Sequence, residues 1–144
     1  MGLSERESEI INDFRKLSSW EDRYKKIIEI GKSLPPLAES YRTDENLVKG
    51  CQSRVWLVAR LEDGRLCLHA DSDALVVRGL VALLVQLYSG ATPEEVLSHQ
   101  PSFIRELGFE GNLSPSRANG LFSMIKQIKI YAMAFMHLKA QGPS

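Results

Sequence analysis

The two cysteines of this 144-residue sequence are the residues best suited to covalent chemistry, and they lie in different settings. Cys51 follows Gly50 and precedes Gln52 and Ser53, so it occupies a short polar segment beside a residue that permits unusual backbone conformations. A thiol on such a loop is open to a second macromolecule, as thiol exchange between proteins requires. Cys67 lies within an alternating pattern, which is typical of a half-buried, inert thiol in a strand.

A disulfide between the two cysteines is not expected. The hairpin predicted below places Arg60 opposite Cys67, and Cys51 lies nine residues before Arg60 along the chain. At about 3.3 Å per residue this separation is on the order of 30 Å, whereas bridged Cα atoms are at most about 7 Å apart. We therefore expect both thiols to be free.

Metal binding and hydrolysis are weaker interpretations of the same residues. The sequence holds three widely separated histidines and no Cys-x-x-Cys pair, so it predicts no metal site. The histidines are His69, His99 and His137. A hydrolytic cysteine needs an adjacent base, usually histidine, and no local signature places one beside Cys51. Lys49 and Arg54 would instead favour a thiolate electrostatically.

Charge and hydropathy argue against two classes of partner. Eighteen lysine and arginine residues balance eighteen aspartate and glutamate residues, so the chain lacks the basic excess with which nucleic-acid binders neutralise phosphates. Uninterrupted apolar runs such as Leu80–Val85 are far shorter than the ~20 residues of a membrane-spanning helix. Residues Met1–Glu7 lack the apolar stretch of a secretory signal. We therefore expect a cytoplasmic protein that binds neither nucleic acid nor membrane.

A two-residue periodicity marks a β-hairpin in the middle of the chain. From Ser53 the side chains alternate between two faces, and Asp63-Gly64 signals a two-residue turn in which both positions need positive φ. If Glu62 lies opposite Arg65, one face of the hairpin is wholly apolar and must lie against helices. The predicted pairs on that face are Leu61 with Leu66, Ala59 with Leu68, and Leu57 with Ala70.

Two helices are predicted before the hairpin. The first carries an apolar stripe at helical spacing. The stripe consists of Ile10, Ile11, Phe14 and Leu17. Ser18 and Glu21 form a capping box for the second helix, which runs from Trp20 and cannot continue through Pro35-Pro36. The weakly periodic segment from Leu37 to Lys49 is predicted to be a connection with a short strand at its end.

The chain after the hairpin is predicted to be helical. Asp71-Ser72-Asp73 ends the hairpin and offers an N-cap to a core helix from Ala74 to about Ser89. Thr92 and Ser114 each precede a proline at the start of a later helix. The buried stripe of the last helix is Leu121, Met124, Ile125, Ile128 and Ala132. The predicted fold class is α+β, a small antiparallel sheet with helices packed on one face, in a single domain over residues 1–144 with frayed ends at 1–5 and 140–144.

Three motifs, in this order, resemble those of the SufE family of sulfur acceptors. Gly50–Trp56 (GCQSRVW) resembles the family signature GCQSxVW. Asp71–Leu80 (DSDALVVRGL) resembles DSDAxIVKGL, with arginine in place of lysine. Leu113–Gly120 (LSPSRANG) resembles LTPSRxxG, and the resemblance extends over about residues 10–133.

The resemblance implies a specific role. SufE proteins accept sulfane sulfur from the persulfide of a SufS-type cysteine desulfurase, stimulate that enzyme, and deliver sulfur to a SufBCD-type scaffold for iron–sulfur cluster assembly. On this chain Cys51 would form the persulfide, with Gly50, Gln52 and Ser53 as its loop. Pyridoxal phosphate belongs to the desulfurase, so no cofactor is expected here, and the chain would be a transpersulfuration partner rather than a stand-alone enzyme.

The resemblance also implies the SufE/IscU-like α+β fold, in agreement with the pattern of elements. Gln52, Ser53 and Asp73 favour SufE itself over the related CsdE branch. A scaffold in the IscU manner is less consistent with one loop cysteine, because a cluster needs about three thiolates. The sequence leaves open whether the chain forms a homodimer.

The resting orientation of Cys51 is a further expectation. A persulfide in bulk water would be lost to reductants or oxidants, so we expect the side chain to turn inward against apolar neighbours. Trp56 and the start of the helix at Ala74 are the candidates for those neighbours. Partner docking would swing the loop outward with Gly50 as a hinge, and exposure would then favour the thiolate.

Three charged residues are candidates for docking the desulfurase. They are Arg117, Asp71 and Asp73. Arg117 falls in the first turn of the last helix, where a cation is mildly unfavourable. A salt bridge with Glu110 or with the acidic turn would explain it equally well, and turn or N-cap roles would suffice for the two aspartates.

Overall fold

The computed structural model describes residues 2–140 of the chain. Its elements are α1 Leu3–Arg15, α2 Trp20–Lys32, β1 Val55–Glu62, β2 Arg65–Ser72, α3 Leu75–Tyr88, α4 Pro93–Ser98, α5 Phe103–Glu106, α6 Phe109–Asn112 and α7 Pro115–Ala140. Residues 3–5, which we expected to fray, belong to α1. Met1 and residues 141–144, also expected to fray, lie outside the described residues.

The hairpin has the predicted register throughout. Glu62 pairs with Arg65, Leu57 pairs with Ala70, and the two strands are antiparallel. Asp63 has φ 51° and Gly64 has φ 77°, so both turn residues adopt the left-handed conformation that the dipeptide favours. The local sequence is therefore sufficient to set the pairing of this sheet.

One face of the hairpin packs on helices, as the apolar alternation predicted. Leu57, Leu66, Leu68 and Ala70 are buried on this face and join the core around α3. The opposite face carries the exposed side chains of Arg60 and His69. The fold is thus α+β, with a two-stranded antiparallel sheet and helices packed on one of its faces.

The central helix α3 is the main support of the sheet and of the other helices. Leu80, Val81 and Leu84 are fully buried along it. It approaches α2 closely because glycines face each other at the crossing, where a Cβ added to Gly31 would lie 2.8 Å from the backbone nitrogen of Gly79. The predicted core helix is confirmed, with bounds close to those expected.

The long helix α7 closes the core beside β1. Its predicted buried stripe is confirmed, because Leu121, Met124, Ile125, Ile128 and Ala132 are all buried. Upstream of it, α4 begins after Thr92 as predicted, and Thr92 and Glu95 form a capping box there. The helix α7 begins with the motif that ends at Gly120 and supplies one wall of the site described below.

Local details differ from the prediction at three places. The N-cap of α2 is Ser19, whose Oγ accepts the N–H of Asp22 at 3.2 Å, so the capping box assigned to Ser18 and Glu21 is wrong by one residue. The predicted short strand before β1 is a single bridge between Leu47 and Trp56. The four-residue helix α6 and two 3-10 turns were not predicted.

The helices that the structure describes within residues 2–140 include none with both the length and the apolar character needed to cross a bilayer.

Candidate functional site

A closed loop leads into β1 and carries the candidate cysteine. At its base, the backbone N–H of Val48 donates to the carbonyl of Val55 at 2.8 Å. On the other side, the N–H of Arg54 donates to Asp73 Oδ1 at 3.1 Å, and the carbonyl of Arg54 accepts from the Ser72 hydroxyl at 2.7 Å. These bonds fix the base of the loop, whereas its tip is held by contacts with α7.

The tip of the loop lies directly on one face of α7. Gly50 has φ +91°, and a Cβ added to it would lie 2.5 Å from the Oγ of Ser123. Cys51, the next residue, reaches Gly120, which lies one turn earlier on the same helix. Glycine is therefore required at position 50 both for its backbone conformation and for its close approach to the helix.

The thiol of Cys51 points inward, as expected for the resting protein. Its Sγ lies 3.6 Å from the carbonyl oxygen of Gly120, and the side chain is half-buried against the core. Burial raises the pKa of the Cys51 thiol, because desolvation disfavours the charged thiolate. In this orientation Cys51 is a protonated, weakly nucleophilic thiol.

A cleft of about 340 Å³ opens beside the sulfur. Its lining residues come from the loop, from α3 and from the start of α7. They are Cys51, Gln52, Ser53, Val77, Ser114, Ser116, Arg117, Gly120 and Met124. The structure thus brings Arg117 to the same cleft as the predicted loop residues, from 66 positions further along the chain. Val77 and Met124 provide apolar wall, while serines and the arginine provide polar wall.

Arg117 is exposed at this cleft and belongs to the first turn of α7. Its backbone N–H donates to the Oγ of Ser114 at 3.3 Å, which caps the helix. Among the described residues, no ion pair joins Arg117 to Glu110, Asp71 or Asp73. The structural explanation offered for Arg117 is therefore wrong in this conformation, and its guanidinium is available to a partner.

The acidic turn does not have the predicted structure. Asp71 is still within β2, only 1% exposed, and forms ion pairs with Arg42 and Arg78, the latter at 3.3 Å. The N-cap of α3 is Ala74, without a side-chain capping bond, so the predicted N-cap role is wrong. Asp73 is exposed and ties the base of the loop through Arg54. Burial removes Asp71 from the surface that a partner could contact.

Trp56 lies away from the cleft. It is buried on the outer face of the sheet beneath the guanidinium of Arg42, which lies 5.1 Å from the ring centroid. The expectation that Trp56 shelters Cys51 is therefore wrong, whereas the start of α3 does contribute, through Val77. The sequence did not reveal Gly120 as the residue beneath the sulfur, although Gly120 ends one of the quoted motifs.

The second cysteine lies in an unrelated environment. Cys67 is half-buried on the outer face of the hairpin, with its Sγ 3.4 Å from Nε2 of His69. Burial, and then the nearby carboxylate of Glu62, raise the pKa of the Cys67 thiol. Both cysteines are free, which confirms that no disulfide joins them. Within residues 2–140, no three histidine, cysteine or carboxylate side chains converge as metal ligands would.

Comparison with known proteins agrees with this geometry. The SufE family model, described as an Fe–S metabolism associated domain, matches residues 8–132. The chain belongs to the SufE family. Membership implies a sulfur-transfer role in Fe–S metabolism and interaction with a cysteine desulfurase.

Individual SufE relatives cover most of the chain. An uncharacterized SufE-like protein of Rhizobium etli is 46% identical over 126 residues, which cover 84% of this chain and 85% of the relative. A SufE-like protein of Synechocystis is 40% identical over 135 residues, covering 94% and 85% of the two chains. The solution structure of a hypothetical protein from Thermus thermophilus has a TM-score of 0.77 and 24% identity, and covers 92% of this chain and 96% of its own. That likeness shows a shared fold.

Proposed function

We propose that this SufE protein accepts sulfane sulfur on Cys51 from a SufS-type cysteine desulfurase, stimulates that enzyme, and passes the sulfur to a SufBCD-type scaffold. The observation that carries the proposal is the placement of Cys51. Its thiol lies at the wall of a cleft, at the tip of a loop that is hydrogen-bonded at its base and held at its tip by one weak contact of the thiol with the Gly120 carbonyl. A sulfur carrier needs a thiol that is sheltered when idle and mobile when a partner docks.

The transfer itself is a thiol exchange that leaves the oxidation level of the pair unchanged. The Cys51 thiolate attacks the outer sulfur of the desulfurase persulfide, forming a new S–S bond to Cys51 while the S–S bond of the donor breaks. The donor cysteine leaves as a thiolate and takes up the proton that Cys51 released. Pyridoxal phosphate remains with the desulfurase and serves the earlier cleavage of the substrate cysteine.

The inward state explains why Cys51 would react selectively. Inside the cleft the raised pKa keeps the sulfur protonated, so adventitious electrophiles meet a poor nucleophile. When the loop swings outward, desolvation is relieved and the pKa falls toward its ordinary value. Docking of the desulfurase would then bring the Cys51 sulfur to the donor persulfide and favour its nucleophilic thiolate form.

Among the docking candidates, Arg117 is the best placed. It is exposed at the cleft that holds Cys51, and its charge would steer an acidic patch of the partner or assist the outward thiolate. Gln52 lies exposed beside the sulfur and Ser53 is half-buried there, so both would meet the same partner surface. Asp73 acts through the base of the loop, where it fixes Arg54.

The test is desulfurase-driven labelling of the purified full chain. The protein is incubated with a SufS-type desulfurase and L-cysteine, and mass spectrometry measures the added sulfur. We expect added sulfur in wild type and in Cys67→Ser, the matched control, and none in Cys51→Ser. Cluster absorbance after reconstitution, or turnover of an ester or peptide without desulfurase, would instead indicate a scaffold or a hydrolase.

A further inference from the structure

We propose that Gly120 is a positioning residue for Cys51: its small size leaves room for the seat in which the sulfur rests, and its carbonyl accepts the thiol proton. The inference rests on the proposed role of Cys51 as the sulfur acceptor. It gives a role to Gly120 of α7, which lies 69 residues after Cys51 in the chain.

Cys51 lies directly over the position that a side chain at residue 120 would occupy. A Cβ added there would lie 3.4 Å from the Sγ and 4.0 Å from the Cβ of Cys51, which is ordinary van der Waals contact. Beyond the helix's own backbone and the adjacent residues, no other heavy atom among the described residues lies within 4 Å of that position. A methyl group therefore fits beside the sulfur, whereas a larger, branched side chain would have to displace it.

Helix formation gives no reason for glycine at this position. Gly120 lies in the interior of α7, where glycine is less favourable than alanine because it loses more backbone entropy on folding. It is buried and has an ordinary helical conformation, so positive φ does not demand it either. The contact with Cys51 requires only that the residue at position 120 be small.

The neighbouring contact on the same helix face has the same character. Gly50 lies against Ser123, and any side chain at position 50 would both strain the backbone and meet the Ser123 hydroxyl. Two consecutive loop residues, Gly50 and Cys51, thus rest on two consecutive turns of α7. The loop is docked by close approach and by one weak S–H···O contact, which a docking partner could displace readily.

The seat makes the reactivity of Cys51 depend on position 120. While the thiol donates to the carbonyl of Gly120 in a half-buried site, the protonated form is favoured. The inward state is therefore favoured at pH values below the ordinary thiol pKa, and it loses this advantage as pH rises through the raised pKa. A branched side chain at 120, larger than the methyl group that fits beside the sulfur, would push the sulfur outward and remove the dependence.

The test measures alkylation of the two thiols in the free protein, without desulfurase. Gly120→Ala and Gly120→Val are treated with iodoacetamide across a pH series, and peptide mass spectrometry gives the rate at Cys51, with Cys67 as the internal reference. We expect little change in Gly120→Ala, whose methyl group fits beside the sulfur, and alkylation of Cys51 faster by at least about tenfold in Gly120→Val, because the outward loop is ordinarily a minor state. The apparent pKa of Cys51 should fall, while Cys67 is unchanged.

Gly111 provides the matched control. It lies exposed in α6 with nothing within 4 Å of its added Cβ, so Gly111→Ala and Gly111→Val should leave the Cys51 rate unchanged. An unaltered Cys51 rate and pH midpoint in a folded Gly120→Val variant would overturn the seat.

A double-mutant cycle tests the same contact by stability, using the Gly120→Val change. In a Cys51→Ala background the substitution should lower Tm less than in the Cys51 background, because the sulfur that the valine branches would meet is gone. Equal changes of Tm in both backgrounds would contradict the seat.

Different results would reject the seat of Cys51 on Gly120 and the proposed carrier function. Faster alkylation in Gly120→Val together with no desulfurase-driven sulfur on Cys51 of wild type would keep the seat and reject the carrier role. Desulfurase-driven sulfur on Cys51 of wild type, together with an unchanged alkylation rate in Gly120→Val, would keep the carrier role and reject the seat.

Discussion

Cys51 and Cys67 both have a raised thiol pKa, but the surrounding structure holds the two residues differently. Burial raises the pKa of both thiols, so neither is a ready nucleophile in this conformation. Cys67 lies within β2, where its backbone is paired with Arg60 in the ladder. Cys51 lies at the tip of a loop, where one weak contact with Gly120 holds its sulfur.

For the carrier role that we propose for Cys51, the difference puts conformational access before a permanently lowered pKa. A thiol that were always ionised would react with any electrophile in solution. A thiol seated on a helix backbone, and preceded by a glycine, can instead be released at the moment of docking. Arg117, exposed at the rim of the cleft, then becomes relevant to the outward state.

The largest change is expected when the buried carboxylate of Asp71 is removed, because Asp71 directly precedes Ser72 and Asp73, which bond to the base of the Cys51 loop. Asp71→Ala leaves Arg42 and Arg78 without their shared, buried carboxylate, and should lower the free energy of unfolding by about 3 kcal/mol. Alkylation in native buffer should rise more at Cys51 than at Cys67. Urea denaturation measures the first effect and peptide mass spectrometry the second.

Asp13→Ala is the control for that prediction. Asp13 is exposed and pairs only with Lys16 at the surface, so its removal should cost less than about 1 kcal/mol. An Asp71→Ala variant as stable as Asp13→Ala would show that the buried ion pairs do not support the loop.

A smaller effect is expected at the rim of the cleft. Arg117→Ala should slow sulfur loading of Cys51 by roughly three- to tenfold at low salt, because a rim charge acts mainly on association. Tm should be unchanged, since the side chain is exposed. Lys126→Ala, an exposed cation further along α7, is the control. Equal loading rates in the two variants would leave Arg117 without a functional role.

The smallest expected effect concerns Cys67 and its neighbour Glu62. Glu62 raises the pKa of Cys67 through a hydrogen bond and its negative charge, after burial as the larger cause. Glu62→Gln should therefore lower the Cys67 pKa and speed its alkylation by roughly threefold at neutral pH, leaving Cys51 unaffected. A matching change at Cys51 would mean that the two thiols are not independent.

Features encoded by adjacent residues were predictable from the sequence. The hairpin register follows from the Asp63-Gly64 turn and the apolar alternation, and the structure has the same pairs. The N-cap of α2 was missed by one position because Ser18 and Ser19 are both competent and only the backbone decides between them. The loop around Cys51 was recognisable because its residue types occur together.

Features that depend on distant residues were not predictable. Asp71 was assigned to a turn because its partner Arg42 lies 29 residues earlier and cannot be recognised by local spacing. The seat of Cys51 on Gly120 depends on how α7 crosses the loop, 69 residues later. The cleft likewise exists only once α3, α7 and the loop are packed together.

The most direct test of the account is to follow sulfur on both thiols of one sample. The full chain is incubated with a SufS-type desulfurase and L-cysteine, digested, and each cysteine peptide is weighed. The account predicts added sulfur on the Cys51 peptide, dependent on both desulfurase and L-cysteine, and none on the Cys67 peptide. Equal sulfur on the two peptides, or undiminished delivery by Cys51→Ser, would contradict it.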